Sequence, residues 1–291
     1  MGSASPELIK GVSETLAGRA AFLELTPFQW QEVASNAKVT LSSLWLKGGF
    51  PDPFLIRDES ARWDWYEGYT QTFLERDIPA LGISVSSVQM RKLRAMLAHA
   101  HGNLWNAPQF GASLGINYHT VNRYADILEH TFLLRRLQPF HANIGKRLVK
   151  NPKVYLRDTG LLHYFLGIRD KATLDVSPTR GASWEGFLVE QLCTLFRQVA
   201  PQARPYFWRT AAGAEVDLLM DLGNRQIPFE FKLNTAPEPS QLKGLKNCMA
   251  DLGIRKGYVV YPGKEDYSLG NGIMALAAEK LLLDPKRIAA F

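Results

Sequence analysis

Near the C-terminal end of this chain, two carboxylates stand inside short apolar segments, and burying them requires a fold that gives each a partner. Segments 205–210, 215–222 and 226–233 are short and rich in β-branched, aromatic and aliphatic residues, which predicts a three-strand meander. Asp217 lies within the second strand, and Glu230-Phe231-Lys232 ends the third. A hairpin turning through Gly223-Asn224 brings Asp217 beside Glu230, and period-two alternation puts Glu230 and Lys232 on one face. Carboxylates that close either share a proton or bind a hard divalent cation. A neighbouring lysine positions water and offsets phosphate charge, so the set Asp217, Glu230 and Lys232 suits Mg²⁺-assisted phosphodiester hydrolysis. Glu185, in the first turn of a helix expected over 183–199, supplies a third carboxylate to orient metal-bound water. The competing reading of the same residues is a salt-bridged sheet edge.

A helix over 240–251 and a buried strand over 257–261 complete the third region, 158–291, as an α/β sandwich in outline. The region before it, 86–157, carries helix-turn-helix spacing. Met90, Leu93, Met96 and Leu97 mark a first helix, 107–114 a short second one, Gly115 the turn, and 117–130 a third. Val121, Tyr124, Ile127 and Leu128 face the core of such a unit, which turns Asn117, Tyr118, His119, Asn122 and Arg123 toward a DNA groove. Segments 132–137 and 154–156 read as the strands of a wing.

Charge sharpens that reading. The chain has 34 Lys and Arg against 28 Asp and Glu, a net +6, yet 132–157 alone holds Arg135, Arg136, Lys146, Arg147, Lys150, Lys153 and Arg157 with no acidic residue. The wing reading gives Arg135, Arg136, Lys146, Arg147 and Lys150 to DNA phosphates. The alternative is a solvated loop and a strand edge guarded by cations.

Residues 1–85 read as mostly helical, with a helix from Pro6, a short strand over 20–25, and an amphipathic helix over 59–77 whose Trp65, Tyr69 and Phe73 recur every fourth residue. No preceding strand is available to pair with 20–25, so the sequence implies a missing upstream part. The two cysteines are too few for a disulfide framework and fit a reducing compartment; with no secretory signal and no apolar run of membrane length, a cytoplasmic protein is expected. GxxxxGK(S/T), zincin and GxSxG motifs are absent, which sets aside P-loop ATPase, zinc protease and serine hydrolase chemistry for this chain by itself.

Further stretches carry a family resemblance: Gly2-Ser3-Ala4-Ser5-Pro6, Leu16-Ala17-Gly18-Arg19, Trp45-Leu46-x-Gly48-Gly49-Phe50-Pro51, Phe73-Leu74-Glu75-Arg76-Asp77-Ile78-Pro79, Tyr155-Leu156-Arg157-Asp158-Thr159-Gly160, Gly181-Ala182-Ser183-Trp184-Glu185-Gly186-Phe187 and Gly213-Ala214-Glu215-Val216-Asp217. With these the chain resembles the C-terminal part of prokaryotic AAA-type P-loop ATPases, whose C-terminal domain of unknown function joins a winged helix to a PD-(D/E)xK restriction-endonuclease-like module. The resemblance implies a mixed α/β (α+β) chain of three parts: an ATPase remnant with helical linker (1–85), a winged helix-turn-helix (86–157) and a nuclease-like domain (158–291). It implies that Arg19 is a nucleotide-sensing arginine, that ATP binds only with an upstream or partner ATPase module, and that oligomers can form. It also places Glu185, Asp217, Glu230 and Lys232 in the nuclease-like site, with Val216 where the nominal motif has proline. No Q-x-x-x-Y pair follows Lys232, although Gln241 starts the next helix. A DNA-binding, Mg²⁺-dependent deoxyribonuclease is the leading expectation; an inactive DNA- or protein-binding module coupled to the ATPase is the alternative.

Overall fold

A computed structural model describes residues 24–77, 87–141, 149–284 and 287. The helix from Pro6, Arg19, nearly all of the 20–25 strand, Lys146 and Arg147 therefore lie outside the described residues.

Short helices come first: α1 (Trp30–Val33), α2 (Leu41–Lys47), α3 (Pro51–Leu55) and α4 (Glu59–Tyr69). Polar caps fix where they begin: the Thr40 hydroxyl accepts the Ser43 N–H ahead of α2, and the Asp58 carboxylate accepts the Ala61 N–H ahead of α4. Beyond Tyr69 the chain widens into a π-helix (Thr70–Asp77), where the sequence predicts one continuous α-helix. The expected aromatic ladder nevertheless forms, with Trp65 stacked on Tyr69 at 5.1 Å and Tyr69 on Phe73 at 5.4 Å.

Three helices follow at the expected places, α5 (Ser87–Ala100), α6 (Ala107–Leu114) and α7 (Tyr118–His130). Asn106 caps α6, Gly115 closes it in the left-handed conformation at φ 68°, and Asn117 caps α7. Val121, Tyr124 and Leu128 are buried, as their spacing predicts. Strands β1 (Leu134–Pro139) and β2 (Lys153–Leu156) then pair antiparallel, Leu134 opposite Leu156 and Leu137 opposite Lys153.

The remainder comprises α8 (Thr159–Leu166), α9 (Lys171–Val176), α10 (Arg180–Val199), β3 (Arg204–Arg209), β4 (Glu215–Asp221), β5 (Gln226–Phe231), α11 (Lys243–Leu252), β6 (Gly257–Tyr261), β7 (Tyr267–Gly270), β8 (Ile273–Ala277) and α12 (Ala278–Leu283). The eight strands among the described residues form one mixed sheet in the order β2-β1-β3-β4-β5-β6-β8-β7. The chain is thus mixed α/β, the class expected from the sequence. The β1–β2 pair, read from sequence as a wing, is the edge of this sheet, because Gln138 and Pro139 pair in parallel with Tyr206 and Phe207 of β3. α10 and α12 pack on one face with Leu188, Leu192, Phe196, Leu218, Met220 and Phe229; α11 covers the other through Leu245 and Cys248 against Trp208, Leu219 and Val259. No helix among the described residues is long and apolar enough to cross a membrane.

The N-terminal helices are tied to the sheet by one buried acid. Asp158 follows β2 and caps α8 by accepting the Leu161 N–H at 2.7 Å; the same carboxylate accepts Gly49 N–H at 2.7 Å and Phe50 N–H at 3.1 Å. Burial raises its pKa, and these hydrogen bonds pull it back. The Trp45–Pro51 and Tyr155–Gly160 motifs are in this way two halves of a single contact. At Gly160 there is no room for a side chain, since a Cβ atom there would lie 2.0 Å from the Lys47 carbonyl oxygen and 2.1 Å from the Tyr66 hydroxyl. Gly160→Ala is expected to lower unfolding free energy by roughly 3 kcal/mol in urea melts, whereas alanine at Gly181, which has nothing within 4 Å, leaves it near wild type.

Candidate metal centre

Strand β4 does not alternate evenly. Tyr206 pairs with Leu219 and Trp208 with Val216, so Asp217 and Leu218 together oppose Phe207 alone. This bulge lets Val216 and Leu219 both face α11 while Leu218 faces α10. Asp217 is re-aimed across the sheet end, where Oδ2 accepts the Phe231 N–H at 2.7 Å.

Around Asp217 five elements deliver charge. α10 brings Glu185, whose Oε1 accepts both the Lys153 ammonium at 2.8 Å and the Tyr155 hydroxyl at 2.5 Å. Glu215, two residues ahead of Asp217, is paired with Lys153 through one oxygen and with Arg209 at 2.9 Å through the other. Lys232 donates to Glu230 Oε1 at 2.8 Å, while the buried Glu230 Oε2 has no hydrogen-bond partner among the described residues. One carboxylate oxygen each from Glu185, Glu215 and Asp217 lies within 4.8 Å of the others, a spacing that suits a metal ion. Glu215 and Glu230 also line a cleft of about 800 Å³, bounded by the 210–214 turn and by Lys243 and Asn247 of α11.

The electrostatics follow from this crowding. Burial, then the neighbouring Glu230 and Glu185 carboxylates, push the Asp217 pKa well above the ordinary range, against the pull of Lys153. Burial likewise raises Glu230, opposed by Lys232. Lys153 and Lys232 both stay charged despite burial, because the acids around them outweigh desolvation and raise their pKa values.

Of the residues read from sequence, Glu185 and Asp217 meet in the three-carboxylate group, and Glu230 and Lys232 stand beside it as an ion pair. The third member of the group is Glu215, and Lys153 and Tyr155 come from β2; the sequence reading gave none of these three a place in the site. Period-two spacing from Asp217 is enough to suggest Glu215. Nothing local suggests Lys153 and Tyr155, which approach only because β2 joins the sheet.

The basic segment is used largely inside the protein. Arg135 and Arg157 both pair with Glu190 of α10, Arg157 also with Glu24 at 2.6 Å. Arg136 pairs with Asp126 at 2.6 Å and with Glu129. Lys150, Asn117, Tyr118, His119 and Arg123 are exposed. Asn117 spends its side chain on the α7 cap, and half-buried Asn122 accepts from Trp105 Nε1 at 2.8 Å.

Residues 38–172 match a family model described as a domain of unknown function (DUF8612), and residues 180–281 match another (DUF4143). The chain is similar to uncharacterized protein Rv2008c of Mycobacterium tuberculosis and to uncharacterized protein Mb2031c of Mycobacterium bovis, each 41% identical over 282 residues. These alignments take in 97% of this chain and 62% of each relative, so the chain spans about three-fifths of the relatives' length. Among solved structures, protein VC1899 from Vibrio cholerae aligns over 84% of this chain and 59% of its own at 11% identity, with a TM-score of 0.28, too low to define a shared fold.

Glu190 makes the ion-pair cluster testable. Burial alone would raise its pKa, but Arg135 and Arg157 override this and hold it at about 2, below the usual 4.5. A depressed carboxylate contributes stability that is fully present above the unfolded pKa and lost as pH falls through the folded one. Thermal unfolding of wild type against Glu190→Gln is expected to show a gap of about 3 kcal/mol above pH 5 that closes between pH 4.5 and 2.

Proposed function

We propose that the chain is the DNA-binding, nuclease-fold C-terminal region of an AAA-type ATPase, and that its carboxylate cluster is a Mg²⁺-dependent DNA phosphodiesterase site. The observation that carries this reading is the convergence of Glu185, Glu215 and Asp217 within 4.8 Å, beside a buried Glu230 oxygen with no partner among the described residues. Hard oxygen donors at the end of a sheet fit Mg²⁺; Asp217 and Glu185 of that group would hold it, with Glu230 standing beside them. When bound, the ion lowers the pKa of a coordinated water and stabilises charge on phosphate. Lys232, held by Glu230, would orient an attacking water and offset phosphate charge; Lys153 and Tyr155 hold Glu185 in position. The cleft beside Glu215 and Glu230 gives a phosphodiester strand its approach.

Recognition belongs in this reading to α5, α6 and α7 as a helix-turn-helix with β1–β2 as wing. The exposed residues Tyr118, His119 and Arg123 of α7 meet the groove, and Lys150 meets phosphate. ATP enters only through an ATPase module, in line with the family resemblance.

A second reading is favoured by a specific observation: Glu185, Glu215 and Glu230 are each already ion-paired, as in a scaffold whose nuclease fold has lost its activity. Incubating the chain with linear, branched and supercoiled DNA in Mg²⁺ separates the two. The phosphodiesterase predicts cleavage that Asp217→Ala reduces at least a hundredfold; equal activity in both proteins, or none on any substrate, sinks it. The scaffold predicts salt-sensitive duplex binding without hydrolysis, weakened when His119, Arg123 and Lys150 are replaced together.

A further inference from the structure

Lys153 lies in an unusual position for a lysine. Its side chain is 3% exposed, its ammonium sits 5.7 Å from the Phe207 ring centre, and it is pinned between two acids that belong to the candidate metal centre, Glu185 and Glu215. It reaches them from β2, far from the α10–β5 stretch that supplies the carboxylates. Its neighbour one pleat along the same strand, Tyr155, is fully buried and donates to the very oxygen of Glu185 that Lys153 contacts.

Counting oxygens shows what this leaves. Glu185 Oε1 takes two donors, and both Glu215 oxygens face cations. Asp217 Oδ2 is held by the Phe231 N–H, and Glu230 Oε1 by Lys232. Among the described residues, Glu185 Oε2, Asp217 Oδ1 and Glu230 Oε2 accept no protein hydrogen bond; the first two belong to residues of the metal-spaced group, and the third is buried beside it on a residue only 9% exposed. Four carboxylates here face three basic side chains, Lys153, Arg209 and Lys232, so the cluster carries about one surplus negative charge when all are ionised. One divalent ion more than balances it. A second would have to displace a buried ammonium and sit beside the first with no acid left to offset the repulsion.

We infer that Lys153 is a built-in second cation: it fills the position between Glu185 and Glu215, restricts the centre to a single divalent ion, and acts as a positioning residue that fixes Glu185. The inference rests on the metal-centre reading above and specifies its stoichiometry and the source of the positioning charge.

Manganese titration tests it without any assay of cleavage. Free Mn²⁺ is followed by electron paramagnetic resonance on the whole chain, with circular dichroism recording the fold of each variant. Wild type is expected to bind one ion per chain. Lys153→Met, close in length but neutral, is expected to bind two, the first about tenfold more tightly, and Lys153→Arg is expected to restore the count of one. Two ions on wild type, or one on a folded Lys153→Met with unchanged affinity, overturns the inference while leaving the metal centre standing. No binding by wild type overturns the metal centre and the inference together. The wild-type count decides against the inference by itself if it is two, so the test does not hang on the folding of the variant.

Discussion

The buried cluster of Arg135, Glu190 and Arg157 is the constraint on which the rest of the structure depends. Glu190 is central on α10, Arg135 is on β1, and Arg157 directly follows β2, so one carboxylate locks α10, the longest helix among the described residues, to edge strand β2 and its neighbour β1. Removing one member of such a cluster leaves an uncompensated charge in the core, which makes the contact nearly all-or-none. The carboxylate of Glu185 and the ammonium of Lys153 are carried by the same two elements, helix α10 and strand β2. Their 2.8 Å separation is therefore inherited from the Glu190 lock as much as from their mutual attraction. Asp158, one residue beyond Arg157, extends the lock to the N-terminal helices through the Gly49 and Phe50 amides.

The charge pattern changes meaning in this light. In sequence the 132–157 segment carries seven basic residues and no acidic one, and a polyanionic partner is the natural reading. Folded, Arg135, Arg136, Lys153 and Arg157 are answered by Glu190, Asp126, Glu129, Glu185, Glu215 and Glu24, acids drawn from other parts of the chain. A linear charge count cannot foresee this, because it sees only neighbours in sequence while the compensating acids arrive through strand pairing and helix packing. Among the described residues of the basic segment, Lys150 stays exposed, and the start of α7 adds exposed polar residues.

Much of the architecture is legible in the sequence where local signals are strong. The helices at 107–114 and 118–130 stand where their spacing puts them because Asn106, Gly115 and Asn117 fix their boundaries, the meander because its turns are punctuated, and strand β6 because Gly257–Tyr261 is an apolar run that tolerates no other role. Strands β7 and β8 escape notice because their pairing follows from Gly270 and Gly272 at positive φ rather than from alternation. At the candidate site the same rule applies. Asp217 and Glu230 stand out as acids among apolar residues. The bulge that re-aims Asp217 does not, since it is a mismatch between two strands and neither strand alone records it.

That the carboxylates and their cation come from different stretches of chain has an evolutionary corollary. The acids fall within the 180–281 match, whereas Lys153 and Tyr155 fall within the 38–172 match. Domain shuffling that kept the C-terminal module and exchanged its neighbour would strand four acids at a sheet end with part of their neutralising charge gone. The two matched stretches thus share one buried ion-pair network, and a change at Lys153 is felt at Glu185 across what looks, along the sequence, like a domain border.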